Sequence, residues 1–214
     1  MTDITIRPAE MRDADFLARL ILTAGRAHVT RGIWEVILGM PEERCLHFLK
    51  LLSVTAVPHL FHHACYLVAE ADGARIAGLG GYDPNVCGNA ALLRAIPEVF
   101  ERMGGGPPGM SEDGAQPRIL DCIPGPVEGA WVIDSVAAVP EFRGQGIAGR
   151  LLEAILNQGR DKGFQRAQVN IYLGNTPAQR LYEKHGFTIL DELRDPYFES
   201  EIGSPGMARM LKDL

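Results

Sequence analysis

Apolar residues recur along this chain at two spacings, and those spacings predict strands and helices in a definite order. Ile4 and Ile6 alternate with polar neighbours up to Pro8, as one face of a short strand does. Phe16, Leu17, Leu20, Ile21 and Ala24 then fall on one helical stripe, with Asp13 placed to cap its start and Gly25 to end it. A second helical stretch runs from about Ile33 to Val54, broken near Gly39-Met40-Pro41. Its second half opens on Glu42-Glu43 and carries Leu46, Leu49, Lys50 and Ser53 at helical spacing. Ala64 to Glu70 and Ala74 to Tyr82 read as strands joined at Asp72-Gly73, a dipeptide that favours tight hairpins.

The second half of the chain has the clearer pattern. Trp131 to Val139 is almost wholly apolar or small, as a buried strand is, and Pro140 ends it by withholding an N–H from the ladder. Ile147, Leu151, Ala154 and Ile155 then form a helical stripe whose last member, Gln158, is polar, with Gly163 as a stop. Ala167, Val169, Ile171 and Leu173 alternate with Gln168, Asn170 and Tyr172 as one strand. Thr176-Pro177-Ala178-Gln179 reads as a capping box, leaving Asn175 outside it with a side chain free for other contacts. Gly186 closes that helix. Thr188 to Arg194 and Met207 to Leu211 read as a final strand pair, joined by an excursion containing Tyr197 and Phe198.

Between the halves, residues 84–128 break the rhythm. Ala90 to Met103 has helical spacing at Leu92, Leu93, Ile96 and Val99, with Pro97 inside it. Gly104-Gly105-Gly106-Pro107-Pro108-Gly109 and a polar run to Arg118 follow, the composition of a mobile loop or lid.

Length, charge and cysteine count narrow the class. A chain of 214 residues can bury one good core, so a single domain over 1–214 is expected, with the loop or lid at about 84–128 inserted. A net charge of −6 argues against non-specific nucleic-acid binding, which needs a basic face. Neither a signal-peptide core nor an apolar run of about 18 residues occurs, so no membrane association and a cytoplasmic location are expected. Cys45, Cys65, Cys87 and Cys122 are scattered and read as free thiols. His59-x-x-His62-His63 has no further ligand at informative spacing and reads as a solvated loop, so no metal is expected.

The chemistry sits in the turn after Val139. A helix start leaves N–H groups unpaired and carries the positive end of the helix dipole. Gly144 and Gly146 keep side chains away from those groups, and Arg143 adds a charge beside them, which makes a cradle for a pyrophosphate. Gly144-x-Gly146-x-x-Gly149 matches the glycine string of a dinucleotide-binding turn. That fingerprint also requires an acidic residue about 20 positions on, near the end of the next strand; the strand here ends Asn170-Ile171-Tyr172-Leu173.

Arg143-Gly144-Gln145-Gly146-Ile147-Ala148 instead resembles the cofactor motif of the GNAT superfamily of N-acetyltransferases, Arg/Gln-x-x-Gly-x-Gly/Ala, in register with its preceding strand. Asn175-x-x-Ala178-x-x-Leu181-Tyr182-x-x-x-Gly186-Phe187 is similar to the family's second motif, about 30 residues on. Together the two cover Trp131 to Leu214. The resemblance implies an α/β fold with a central mixed, mostly antiparallel twisted sheet flanked by helices, in which a strand pair splays apart. It implies acetyl-CoA as co-substrate, met by the main chain of Val136, Ala137 and Ala138, by Arg143, Gly144, Gln145, Gly146, Ile147, Ala148 and Gly149, and by Asn175. It also makes Tyr182 the general acid at the departing thiolate, a role that outweighs the alternative of a core aromatic on the stripe of Ala178 and Leu181.

The general base is not given by the match. Relatives that acetylate ribosomal-protein N-termini often carry a glutamate five residues before the motif asparagine, and that position here is Asn170. Asp134 is the nearest alternative, on strand parity with Val136 and Ala138; it fits a structural acceptor as well as a base. Glu70 and Asp83 are weaker candidates, and a chain of waters is a further one. The activity implied is direct acetyl transfer to a primary amine, on a small molecule, a peptide or a protein, in a chain that could form a homodimer. The competing reading is a catalytically idle acyl-CoA-binding module.

Overall fold

A computed structural model describes residues 4–106 and 117–214 of the chain. The expected glycine-proline loop falls largely at residues 107–116, outside the described residues. Strands β1 (Ile4–Pro8), β2 (Tyr66–Ala71), β3 (Ala74–Tyr82), β4 (Ala130–Ala138), β5 (Arg166–Tyr172), β6 (Thr188–Arg194) and β7 (Gly206–Asp213) form one sheet in the order β1-β2-β3-β4-β5-β7-β6. Every neighbouring pair is antiparallel except β4 and β5. That one parallel pair needs a crossover, and the helix α6 (Ile147–Asp161) supplies it.

Helices cover both faces. On one side α1 (Ala14–Arg26), α2 (Ile33–Leu38) and α3 (Glu42–Leu52) pack with Leu17, Ile21, Phe48 and Leu52 buried. On the other, α6 buries Ile147, Leu151, Leu152 and Ile155 against Leu79, Trp131 and Ile133. This contact is tight: a Cβ on Gly81 of β3 would stand 2.3 Å from Ile155 and 2.8 Å from the Trp131 indole. Glycine lets the helix approach the sheet there.

The segment after β3 is more ordered than a loop. It forms α4 (Pro84–Cys87) and α5 (Asn89–Met103), whose Ala91, Ala95 and Val99 are buried toward α3. Pro97 lies inside α5, as the apolar spacing requires. A 3-10 turn at Arg118–Cys122 then packs on α8 (Pro196–Ile202), with Arg118 4.5 Å from the Tyr197 ring centre. Helix α7 (Thr176–Lys184) follows β5.

Two local expectations are corrected. Helix α1 passes through Gly25 and stops at Arg26, because Ala27 takes the turn with φ 52°. The histidine cluster is not a solvated loop: His59 is fully buried and His62 nearly so. The His59 Nδ1 accepts the Phe61 N–H at 3.1 Å, and its Nε2 lies 3.1 Å from the Leu52 carbonyl, so the ring ties the α3–β2 connection together. Burial, with His62 beside it, pushes the His59 pKa down to about 4. Among the described residues no three His, Cys, Asp or Glu side chains group as a metal site would. No described helix is long and apolar enough to cross a membrane.

The N-terminal edge is fastened by one buried carboxylate. Asp13, with its side chain fully covered, accepts from Arg7 at 2.8 Å and 3.1 Å, from Arg75 at 2.8 Å and from the Glu10 N–H at 2.8 Å. It thus joins β1, the start of α1 and β3. Burial alone would raise this carboxyl, but the Arg7, Glu10 and Arg75 bonds outweigh that and hold it far below the usual carboxylate range. Asp13→Ala leaves Arg7 and Arg75 with Glu70 alone and is expected to cost about 3 kcal/mol in denaturant unfolding. A folded-state pKa below the unfolded one means the contribution is complete above about pH 4 and is lost as pH falls further. The wild type should therefore lose stability more steeply than Asp13→Ala below about pH 4.

Candidate active site

The site begins where two strands stop pairing. The parallel ladder of β4 and β5 runs from Ala130–Arg166 to Ile133–Val169 and ends, although β4 continues to Ala138 and β5 to Tyr172. The strands part at Asp134 and Asn170. A β-bulge at this point bends β4 away: Gly78 faces Ala137 while Gly80 faces Asp134, so one extra β4 residue is accommodated, and Ser135 takes φ 55°. A serine in the left-handed region is strained, and such strain clusters at functional positions.

The bulge overturns the expected strand parity. Asp134 follows Val132 onto the α1 face, whereas Val136 and Ala138 pack on the α6 face with Trp131 and Ile133. Asp134 and the Val136–Ala138 pair thus lie on opposite sides of the sheet. Main-chain alternation also separates the three β4 residues. The Val139 N–H donates to the Ile76 carbonyl at 2.8 Å, so Ala137 turns its polar groups to β3, and Val136 and Ala138 turn theirs to the gap. The expectation that all three address the gap is corrected for Ala137. The Ala138 carbonyl accepts from the Arg143 Nε at 3.2 Å.

The turn beyond β4 has the geometry an anion requires. Gly144 and Gly146 adopt φ 75° and 76°, and a Cβ on either would meet nothing within 4 Å, so glycine serves the conformation and leaves the approach bare. The first backbone bond of α6 from its cap runs from the Arg150 N–H to the Gly146 carbonyl, which leaves the N–H groups of Ile147, Ala148 and Gly149 without helical partners. Gly146 caps with no side chain, and the first turn holds no acidic residue to compete. These groups fit a diphosphate. Gln145 steadies the turn through Nε2 to the Glu141 carbonyl at 3.1 Å. Ile147 points its side chain into the core, so only its N–H faces outward. Gly149 has a packing reason for being small: a Cβ would lie 3.2 Å from the His185 ring.

Tyr182 of α7 is buried beside Phe187, ring centres 5.5 Å apart and edge-on, in the cluster that holds Val136 and Ala138. Burial, and then the Asp134 charge, raise its pKa above that of an ordinary phenol. It stays protonated at neutral pH. Asp134 itself is half-buried, accepts from the Ser135 hydroxyl at 2.8 Å and has its carboxyl pushed up by burial. Three further phenols, Tyr66, Tyr82 and Tyr172, sense its charge. The sequence reading missed them because they come from three different strands; the Gly78-Leu79-Gly80-Gly81 run in β3 is the signal of close approach that points there.

The other candidates have structural employment. Asn170 donates to the Pro124 carbonyl at 2.8 Å and accepts from Gln168 at 3.1 Å, while Gln168 holds Gly125 and Val127. The polar face of β5 thereby pins residues 124–127. Glu70 is paired with Arg7 at 2.6 Å, which lowers its pKa and makes it a poorer base. Asp83 caps α4 through the Asn85 N–H at 2.9 Å. A surface hollow of about 560 Å³ lies at the other end of α6, bordered by Arg160, Lys184 and Lys212, away from the gap.

Asn175 corrects a further expectation. It is itself the N-cap of α7, its Oδ1 accepting the Ala178 N–H at 3.3 Å, with Thr176 first in the helix and Pro177 second. Asparagine caps better than threonine, so the helix starts one residue earlier than the capping-box pattern suggests. Its amide Nδ2 is left to donate elsewhere. Asn175→Ala is expected to cost about 1 kcal/mol in urea unfolding and Asn175→Asp far less; equal losses in both would remove the capping role.

A structure of an acetyltransferase superposes with a TM-score of 0.68 at 23% identity, covering 98% of each chain. An N-acetyltransferase from Staphylococcus aureus Mu50 gives 0.66 at 19% identity over 97% of this chain and 99% of that one. The ribosomal-protein-S18-alanine N-acetyltransferase of Escherichia coli gives 0.55 at 15% identity over 99% and 94%. Such identities speak for the fold. In sequence, the [ribosomal protein bS18]-alanine N-acetyltransferase of Haemophilus ducreyi is 34% identical over 70 residues, 33% of this chain. The match spans about half of that relative, 48% of its length. The profile of the acetyltransferase (GNAT) family matches residues 40–187, from just before α3 through the glycine turn to Phe187. Matched over most of its length by that profile, and carrying the splayed strands and the bare helix start, the chain belongs to the acetyltransferase (GNAT) family.

Proposed function

We propose that the protein transfers the acetyl group of acetyl-CoA directly to a primary amine, with both substrates bound together. The observation that carries this reading is the gap between β4 and β5, which opens at Asp134 and Asn170 beside an uncapped α6. Acetyl-CoA supplies the thioester and its thiolate leaving group. The N–H groups of Ile147, Ala148 and Gly149, with Arg143, hold the diphosphate. Main-chain groups of Val136 and Ala138 hold the arm as a neighbouring strand would.

The two faces of the sheet divide the proton chemistry. Asp134, on the α1 face, takes the proton from the incoming ammonium; a carboxyl whose pKa burial has raised is a stronger base. Tyr182, on the α6 face, keeps its proton at the hydroxyl and offers it to the departing sulfur. The amine thus enters from the side of α1, α2 and α5, where α4 and α5 help to shape the acceptor cleft. The 34% identity to an alanine N-acetyltransferase supports a peptide N-terminus as one acceptor to try.

The test is release of CoA thiol from acetyl-CoA with three amines: an alanyl peptide, an N-blocked lysyl peptide and an alkyl diamine. At least one should accelerate release. Tyr182→Phe should lower kcat about 100-fold with acetyl-CoA affinity largely kept. Undiminished kcat in Tyr182→Phe would remove that residue from the chemistry. No amine-dependent release from the wild type would favour an idle acyl-CoA-binding module.

A further inference from the structure

Tyr66 is among the largest fully buried side chains, and its hydroxyl, though close to the Ser135 hydroxyl, makes no hydrogen bond of good geometry among the described residues. Leaving a buried hydroxyl unpaired costs about 1–3 kcal/mol, whereas phenylalanine of the same shape would avoid the cost. A phenol in that position therefore calls for a reason outside packing.

Its direction suggests one. Tyr66, Gly80 and Asp134 stand opposite one another across β2, β3 and β4, in one row on the α1 face. Because Gly80 has no side chain, the tip of the Tyr66 ring lies over it: a Cβ there would stand 3.1 Å from Tyr66 Cζ and 3.2 Å from the Asp134 carbonyl oxygen. The hydroxyl is thus carried across β3 to the bulge. Ser135, which occupies that bulge, makes its hydrogen bond to Asp134 Oδ1 at 2.8 Å.

We propose that Tyr66 is a positioning residue for the acceptor reaction, its hydroxyl serving beside Ser135 as the second donor to the ionised Asp134 carboxylate when an amine occupies the gap. The proposal rests on the acetyl-transfer reading and adds to it the group that orients the base. A phenol bonded to a carboxylate stabilises its charged form and fixes the oxygen that faces the amine. The titratable groups that sense the Asp134 charge are Tyr66 from β2, Tyr82 from β3 and Tyr172 from β5, with Tyr182 of α7 on the opposite face of the sheet. Helix α1 turns to the sheet a buried face of Ala14, Leu17, Ala18, Leu20, Ile21 and Leu22, without charge, and Asp83 is bound at the start of α4.

The test compares wild type with Tyr66→Phe, using the amine of the three that turns over fastest. The unfolding midpoint should be unchanged or higher, since only an unpaired hydroxyl is lost. The acidic limb of kcat/KM should move up by about one pH unit, and KM for the amine should rise about tenfold. The Asp134 carboxyl resonance, followed by NMR with CoA and the amine present, should titrate at correspondingly higher pH in the variant. Wild-type turnover with neither the limb nor the resonance displaced in Tyr66→Phe overturns this proposal and leaves the transferase reading standing. A lowered midpoint with an unmoved pH profile makes Tyr66 a packing residue and overturns it as well. Failure of all three amines in wild type overturns both.

Discussion

Everything proposed for this protein depends on the loss of one ladder of hydrogen bonds. Past Ile133 and Val169 the two central strands no longer satisfy each other, and the main-chain groups of Val136 and Ala138 face the gap instead of a neighbouring strand, the Ala138 carbonyl being met by Arg143. Unpaired strand edges are costly inside a domain and are normally covered. Here the exposure is held in place from both sides. The bulge at Ser135 turns β4 outward, while β5 remains bound to β7 along its full length, from Arg166–Asp213 to Tyr172–Met207.

The same divergence explains why the candidate acid and base reach one gap from opposite faces. In an unbroken strand Asp134 would lie with Val136 and Ala138. The extra residue leaves Asp134 on the α1 side with Val132, near Tyr66 and Tyr82, and turns Val136 and Ala138 to the other side, where Tyr182 packs with Phe187. A sheet is an unusual barrier in that it can be crossed only where its hydrogen bonds stop. An arm lying in that opening could be approached by an amine from one face and assisted by a phenol from the other.

Much of this was legible in the residues. The strand, the glycine turn and α6 follow from local chemistry: an apolar run, a proline stop, two glycines that adopt positive φ, and an amphipathic stripe. What could not be read depended on long-range context. Strand parity assigned Asp134 to the wrong side because period-two reasoning carries no sign of an inserted residue. His59 and His62 look solvent-facing by composition, yet the backbone of the α3–β2 connection surrounds them and uses their ring nitrogens. Asn170 was noticed for lacking a carboxylate, but its pairing with Pro124 could be found only once β5 and that segment were side by side.

The central claim is that a diphosphate-bearing thiol ester rests where β4 gives way to α6, and calorimetry addresses it directly. CoA titrated into the wild type is expected to bind with 1:1 stoichiometry. Gly146→Val, which sets a branched side chain at φ 76° over the bare N–H groups, is expected to weaken binding by at least about tenfold while the fold is retained. Absence of CoA binding to the wild type, or equal affinity in a folded Gly146→Val variant, would contradict the account.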